Sequence, residues 1–153
     1  MPLQDILDRN VINLHVKGQN KDEVLRDMSR MLFEQEYIED IDLFVKDIYL
    51  REAEGATGIG NNVSIPHGKC KAVKKIGIAI GRCEHEILWE SSVEDDGWQQ
   101  TRIIFLFCVS ADDYGKEHLK LLAELAGKLG SSQVMAKLQK AESKDEIIQA
   151  LLN

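Results

Sequence analysis

Proline is scarce in this chain, with only Pro2 and Pro66 among 153 residues. That scarcity excludes a proline-rich linker and a collagen-like repeat. Cysteine is nearly as rare: Cys70, Cys83 and Cys108 are odd in number and form no Cys-x-x-Cys pair. A disulfide framework is therefore not expected, and reduced thiols in the cytosol are the simplest reading. No apolar run approaches the ~18–20 residues needed to cross a bilayer. Met1-Pro2-Leu3-Gln4-Asp5 has neither the basic nor the apolar region of a signal peptide. These absences predict a cytoplasmic protein with no direct membrane insertion. Positive charge is also short, and the net charge is −7. Without a basic cluster, nucleic-acid binding is not expected. What remains is ordinary globular composition, 44% hydrophobic and 29% charged. The length suits one domain, residues 1–153, and nothing reads as a linker, repeat or disordered tail.

The hydrophobic period changes twice along the chain. A short helical turn around Leu3, Ile6 and Leu7 precedes a strand in which Ile12, Leu14 and Val16 alternate with Val11, Asn13 and His15. After Lys17-Gly18-Gln19, Asn20 and Glu23 have capping-box spacing, and Val24, Leu25, Met28, Met31 and Leu32 recur at helical intervals. A second helix begins near Asp40, buries Ile41, Phe44, Val45 and Ile48, carries Arg51 near its end and stops at Gly55. Short strands follow at Val63-Ser64-Ile65, Ile76 to Ile80, and Ile87-Leu88-Trp89. Arg102 to Ser110 is apolar almost throughout, as a central strand covered on both faces should be. Helices return from about Lys116 to Leu129, with Leu122, Leu125 and Leu129 inward, and around Val134, Met135 and Leu138. The last starts at the capping box Ser143–Glu146 ahead of Ile147, Ile148, Leu151 and Leu152. Helices at both ends of a central group of about five strands predict a three-layer α/β domain, the sheet flanked on both sides.

One segment differs from its surroundings: Thr57-Gly58-Ile59-Gly60-Asn61-Asn62-Val63-Ser64-Ile65-Pro66-His67-Gly68-Lys69. Glycine and asparagine permit backbone geometries other residues resist, so this is a shaped loop. Pro66 restricts Ile65 to an extended conformation and stiffens the approach to His67. The pattern predicts an exposed imidazole on a rigid backbone at a strand end. Nucleotide motifs fail here. Val63 stands where a dinucleotide fingerprint needs its third glycine, and Gly68-Lys69 is followed by Cys70 instead of Ser or Thr. A histidine that is largely neutral at cytosolic pH can act as nucleophile, base or metal ligand. As a nucleophile toward phosphorus it needs cations or donors for the phosphoryl oxygens. Arg51, whose fork suits phosphate, and His118, in the first turn of a predicted helix, are the candidates.

These residues resemble the enzyme IIA domains of the bacterial sugar phosphotransferase system, fructose–mannitol type, including the nitrogen-regulatory relatives. The resemblance rests on Arg51-Glu52 ahead of Thr57-Gly58-Ile59-Gly60, on Ile65-Pro66-His67-Gly68, on Ile76-Gly77-Ile78-Ala79-Ile80, and on Glu117-His118-Leu119 opening a leucine-rich helix. It implies a mixed, mainly parallel sheet. It also implies that His67 takes a phosphoryl group from the histidine of the carrier HPr, or a relative, and passes it to a cysteine of an enzyme IIB domain of a sugar permease. His118 would hydrogen-bond the phosphoryl group and the active ring, and Arg51 would neutralise charge. No nucleotide, metal or other cofactor is implied. Lys69, the acidic stretch from Glu90 to Gln100, and Gln100 itself depart from the family pattern.

Other residues invite plainer readings. His15 and His85 read as surface residues. Thr57 and Asn62 could support the site through hydrogen bonds, although turn chemistry accounts for them equally. His67-x-x-Cys70 could bind metal, but no second pair stands at zinc spacing. Cys108 reads as a small core residue, while Trp89 and Trp98 are open between core and partner contact. Besides the phosphocarrier, two functions stay open: a regulator whose phosphorylation state at His67 controls partner binding, and a metal or thiol hydrolase.

Overall fold

Local capping starts the helices where the pattern predicts. In a computed structural model, which describes residues 2–113 and 117–153, the Asn20 side chain accepts the Glu23 N–H and opens α1 (Lys21–Glu34). The Glu23 carboxylate returns to the Gln19 N–H, closing the box one residue further out. Asp40 caps α2 (Ile41–Glu52) through the Leu43 N–H, placing Arg51 in the last turn. Ser131 and Ser143 do the same for α4 (Ser132–Lys140) and α5 (Lys144–Leu152). In α3 (Glu117–Leu129) the buried residues are Leu121, Leu125 and Leu129. Leu122, expected inward, is only partly buried; Lys116, the expected start, lies outside the described residues.

Among the described residues five strands make one mixed sheet: β1 (Ile12–Val16), β2 (Val63–Ser64), β3 (His67–Cys70), β4 (Gly77–Glu90) and β5 (Trp98–Ser110), in the order β1-β4-β5-β2 with β3 also paired to β5. The pairings of β1 with β4, and of β2 and β3 with β5, are parallel, whereas the long β4–β5 pair is antiparallel. The two strands expected at 76–80 and 87–89 are one strand, β4, whose register breaks between Arg82 and Ile87. Polar Glu84, His85 and Glu86 lie exposed at that break, which is why the apolar pattern reads as interrupted. In β1 the expected alternation fails for a similar reason. The register shifts between Asn13 and Val16, so Ile12 and Val16 join cores on opposite faces of the sheet.

Every residue from Ile103 to Val109 in β5 is buried, as a central strand requires. Ile103, Phe105, Phe107 and Val109 face the core under α3, α4 and α5, while Ile104, Leu106 and Cys108 face the core under α1 and α2. Side-chain alternation along one strand thus serves both layers.

Candidate active site

Beyond α2 the chain turns through three consecutive left-handed residues, Gly60 (φ 82°), Asn61 (φ 53°) and Asn62 (φ 64°). Glycine and asparagine are the residues that tolerate this region. The turn delivers the chain to the free edge of β5, where Val63 and Ser64 lie beside Ile103 and Ile104. Pro66 breaks the edge strand, having no N–H to give, but its carbonyl accepts the Phe107 N–H at 3.0 Å. His67 then opens β3 opposite Phe107.

The imidazole was expected to be exposed; it is buried, with only 9% of the residue accessible. The ring lies 5.5 Å from that of Phe107. Gly68 points the other way, and a Cβ there would come within 2.3 Å of Phe44, so its lack of a side chain lets α2 close over β3. Nδ1 of His67 is buried and has no hydrogen-bond partner among the described residues. Burial, then the charge of Arg51 and, more weakly, His118 push the ring's pKa from 6.5 down to about 4, against the opposing pull of the Ile65 and Pro66 carbonyls. The histidine is therefore neutral at physiological pH.

His67 opens into a cleft of about 320 Å³ lined by Asp47, Leu50, Arg51 and Glu54 from α2, His67 and Lys69 from β3, Val109 from β5, and His118 from α3. Three separate segments thus bring His67, Arg51 and His118 to one cavity. Arg51 is tethered by a 3.0 Å bond from Nη1 to the Gly55 carbonyl. Asp47 accepts the Lys69 N–H at 2.5 Å and ties α2 to β3. Lys69 shares the His67 face of β3, two residues on. A larger concavity, about 640 Å³ between α4 and α5, contains no histidine, cysteine or arginine.

Thr57 and Asn62 do not line the cleft. Thr57 is buried, donates to Glu52 at 2.5 Å and accepts from the Trp89 indole at 3.0 Å. Glu52 in turn meets Lys21 at 2.6 Å, so this network anchors the end of α2 next to Arg51. The Asn62 side chain donates to the Gln100 carbonyl, and its own carbonyl receives the N–H groups of Arg102 and Ile103. Trp89 belongs to the core, whereas Trp98 is 47% exposed. Cys108 is buried, Cys70 half-buried, and desolvation raises both thiols' pKa. His15 and His85 lie at the surface.

One residue escaped the sequence reading. Asp113 accepts the backbone N–H groups of Glu117 and His118 at 3.1 and 3.2 Å, and meets Nδ1 of His118 at 2.7 Å. A carboxylate just ahead of a helix is a legible signal, but its contact with the histidine ring required the fold.

Fold and cleft together define a small three-layer α/β domain organised around a neutral, mostly buried histidine at a sheet edge. The family model described as "Phosphoenolpyruvate-dependent sugar phosphotransferase system, EIIA 2" matches residues 5–153, and the chain belongs to that family. It is 26% identical over 151 residues to the PTS system 2-O-alpha-mannosyl-D-glycerate-specific EIIABC component of Escherichia coli, covering 99% of this chain but 22% of that protein. It is 28% identical over 153 residues to the nitrogen regulatory protein of the same species, covering 99% and 90% of the two chains. Among solved structures, nitrogen regulatory protein IIA-Ntr from Neisseria meningitidis superposes with a TM-score of 0.84 at 26% identity, covering 97% of this chain and 98% of that one.

Proposed function

We propose that this chain is a phosphocarrier that accepts a phosphoryl group on His67 from the phosphohistidine of HPr, or a relative, and passes it to a cysteine of an enzyme IIB domain in sugar uptake. The observation that carries this reading is a neutral histidine, held against Phe107 with Nδ1 sealed, in a cleft shared with Arg51 and His118. A neutral ring keeps a lone pair for phosphorus, and with Nδ1 buried the attacking nitrogen is Nε2. Arg51 offsets the charge of the phosphoryl oxygens, and His118 offers them a hydrogen bond. The donor's N–P bond breaks as the new one forms, so the group arrives already activated. Such exchange with cytosolic carriers places the domain in the cytoplasm.

The test supplies phosphoenolpyruvate and the general phosphotransferase proteins, then looks for acid-labile, base-stable phosphate. Wild type is expected to be labelled, His67→Ala unlabelled, and His118→Ala labelled but slow to pass its phosphate onward. Label that survives in His67→Ala would overturn the assignment. A second reading, regulation of partner proteins by the phosphorylation state of His67, is favoured by the near-full-length likeness to nitrogen regulatory proteins. A partner captured by only one phosphorylation state would favour regulation.

A further inference from the structure

Asp113 satisfies three donors at once: the N–H groups of Glu117 and His118 and the ring of His118. Burial alone would raise the Asp113 pKa, but the His118 ring and these two N–H groups together hold it below its ordinary value, so the carboxylate stays ionised. Both the Asp113 and the His118 side chains are 14% exposed, which limits solvent competition for the contact. An ionised carboxylate can only accept, so Nδ1 of His118 carries a proton in this pair. The other ring nitrogen, Nε2, is left for the cleft that His118 lines.

We propose that Asp113 is a positioning residue for phosphoryl transfer, fixing the orientation and proton arrangement of His118 so that its Nε2 addresses the phosphoryl group on His67. This rests on the phosphocarrier reading. With Nδ1–H committed to Asp113, Nε2 donates to a phosphoryl oxygen once the ring has taken a second proton from solvent. The carboxylate on one side and the phosphoryl dianion on the other stabilise that doubly protonated ring. Arg51 and Lys69 in the same cleft oppose its charge, while Asp47 and Glu54 favour it. His118 moves no proton to the reacting atoms. The Nε2–P bond of His67 forms while its Nδ1 keeps its proton. The N–P bond of the incoming phosphoimidazole, protonated on its other ring nitrogen, breaks, and the electron pair returns to the donor nitrogen. The imidazolium charge thus passes from donor ring to acceptor ring. An anchored carboxylate–histidine pair has the logic of the orienting partners found behind catalytic and metal-bound imidazoles.

The test follows His67 labelling from phospho-HPr, and its return to HPr, in wild type, Asp113→Asn, His118→Ala and the double variant. Circular dichroism confirms folding, since asparagine can still accept one backbone N–H. Asp113→Asn is expected to slow transfer ~10-fold or more in both directions. Against His118→Ala it should add almost nothing, because the aspartate acts through that ring. Nitrogen-15 NMR should show Nδ1–H of His118 in wild type, and both nitrogens protonated once His67 is phosphorylated; Asp113→Asn should lose the fixed pattern. Wild-type rates in Asp113→Asn, an equal loss in the His118→Ala background, or an unchanged nitrogen-15 pattern would each sink the inference while leaving the phosphocarrier standing. Failure of wild type to take label on His67 removes both.

Discussion

At His67 the burial that keeps the ring neutral also makes the protein sensitive to acid. In the unfolded chain a histidine takes its proton near pH 6.5, whereas in the folded chain this ring does so only near 4. Between those values the unfolded state binds more protons, so stability falls as pH falls through that window. The gap corresponds to at most about 3 kcal/mol. Urea midpoints at pH 7.5 and 4.5 should therefore drop further for wild type than for His67→Gln. Equal drops would mean that the ring is not held neutral. Gly68 supplies the second prediction at this scale. A Cβ would fall 2.3 Å from Phe44, so Gly68→Ala should cost ~1–3 kcal/mol in chemical denaturation, with Phe44→Leu restoring part of it. Histidine, proline and glycine were legible here as a motif. The burial of the ring was not, because its cover comes from the distant Phe107.

Among the elements, α2 matters most to the cleft, and what holds its end is polar. Lys21 of α1 reaches Glu52, Glu52 receives Thr57, and Thr57 receives the indole of Trp89 in β4. Thr57→Val keeps the shape but leaves both Glu52 and the buried Trp89 N–H without this partner. A loss of ~1–3 kcal/mol is expected, read as a lower thermal midpoint together with altered Trp89 fluorescence. An unchanged midpoint would show that the end of α2 is held by packing alone. The helix starts were readable from Asn20, Asp40 and Ser143, since capping is a matter of three or four adjacent residues. β4 was misread as two strands because a register break with exposed charge looks like a loop. In α3 Leu125 and Leu129 face inward as expected, but the third inward position is Leu121 instead of Leu122, a choice between adjacent leucines that helical spacing does not decide.

For the molecule as a whole, β5 is the common wall of two cores, with Phe105 under α3 to α5 and Ile104 under α1 and α2. Damage on either face should therefore weaken both layers together. Phe105→Ala is expected to cost ~3–5 kcal/mol, and far-ultraviolet dichroism and Trp89 fluorescence should still report one coincident unfolding transition. Two separated transitions would show that the layers fold as independent units. The sequence by itself determined the α/β class, the capped helices and the apolar central strand, and it singled out His67, Arg51 and His118 as candidates. Periodicity, caps and short motifs are local, and neighbours in the chain suffice to express them. Only the tertiary structure decided that three separated segments share one cleft, that the imidazole is covered and neutral, and that Asp113 grips the second histidine. Desolvation and charge–charge distance depend on which residues the sheet edge, α2 and α3 bring together, and chain order alone does not specify that.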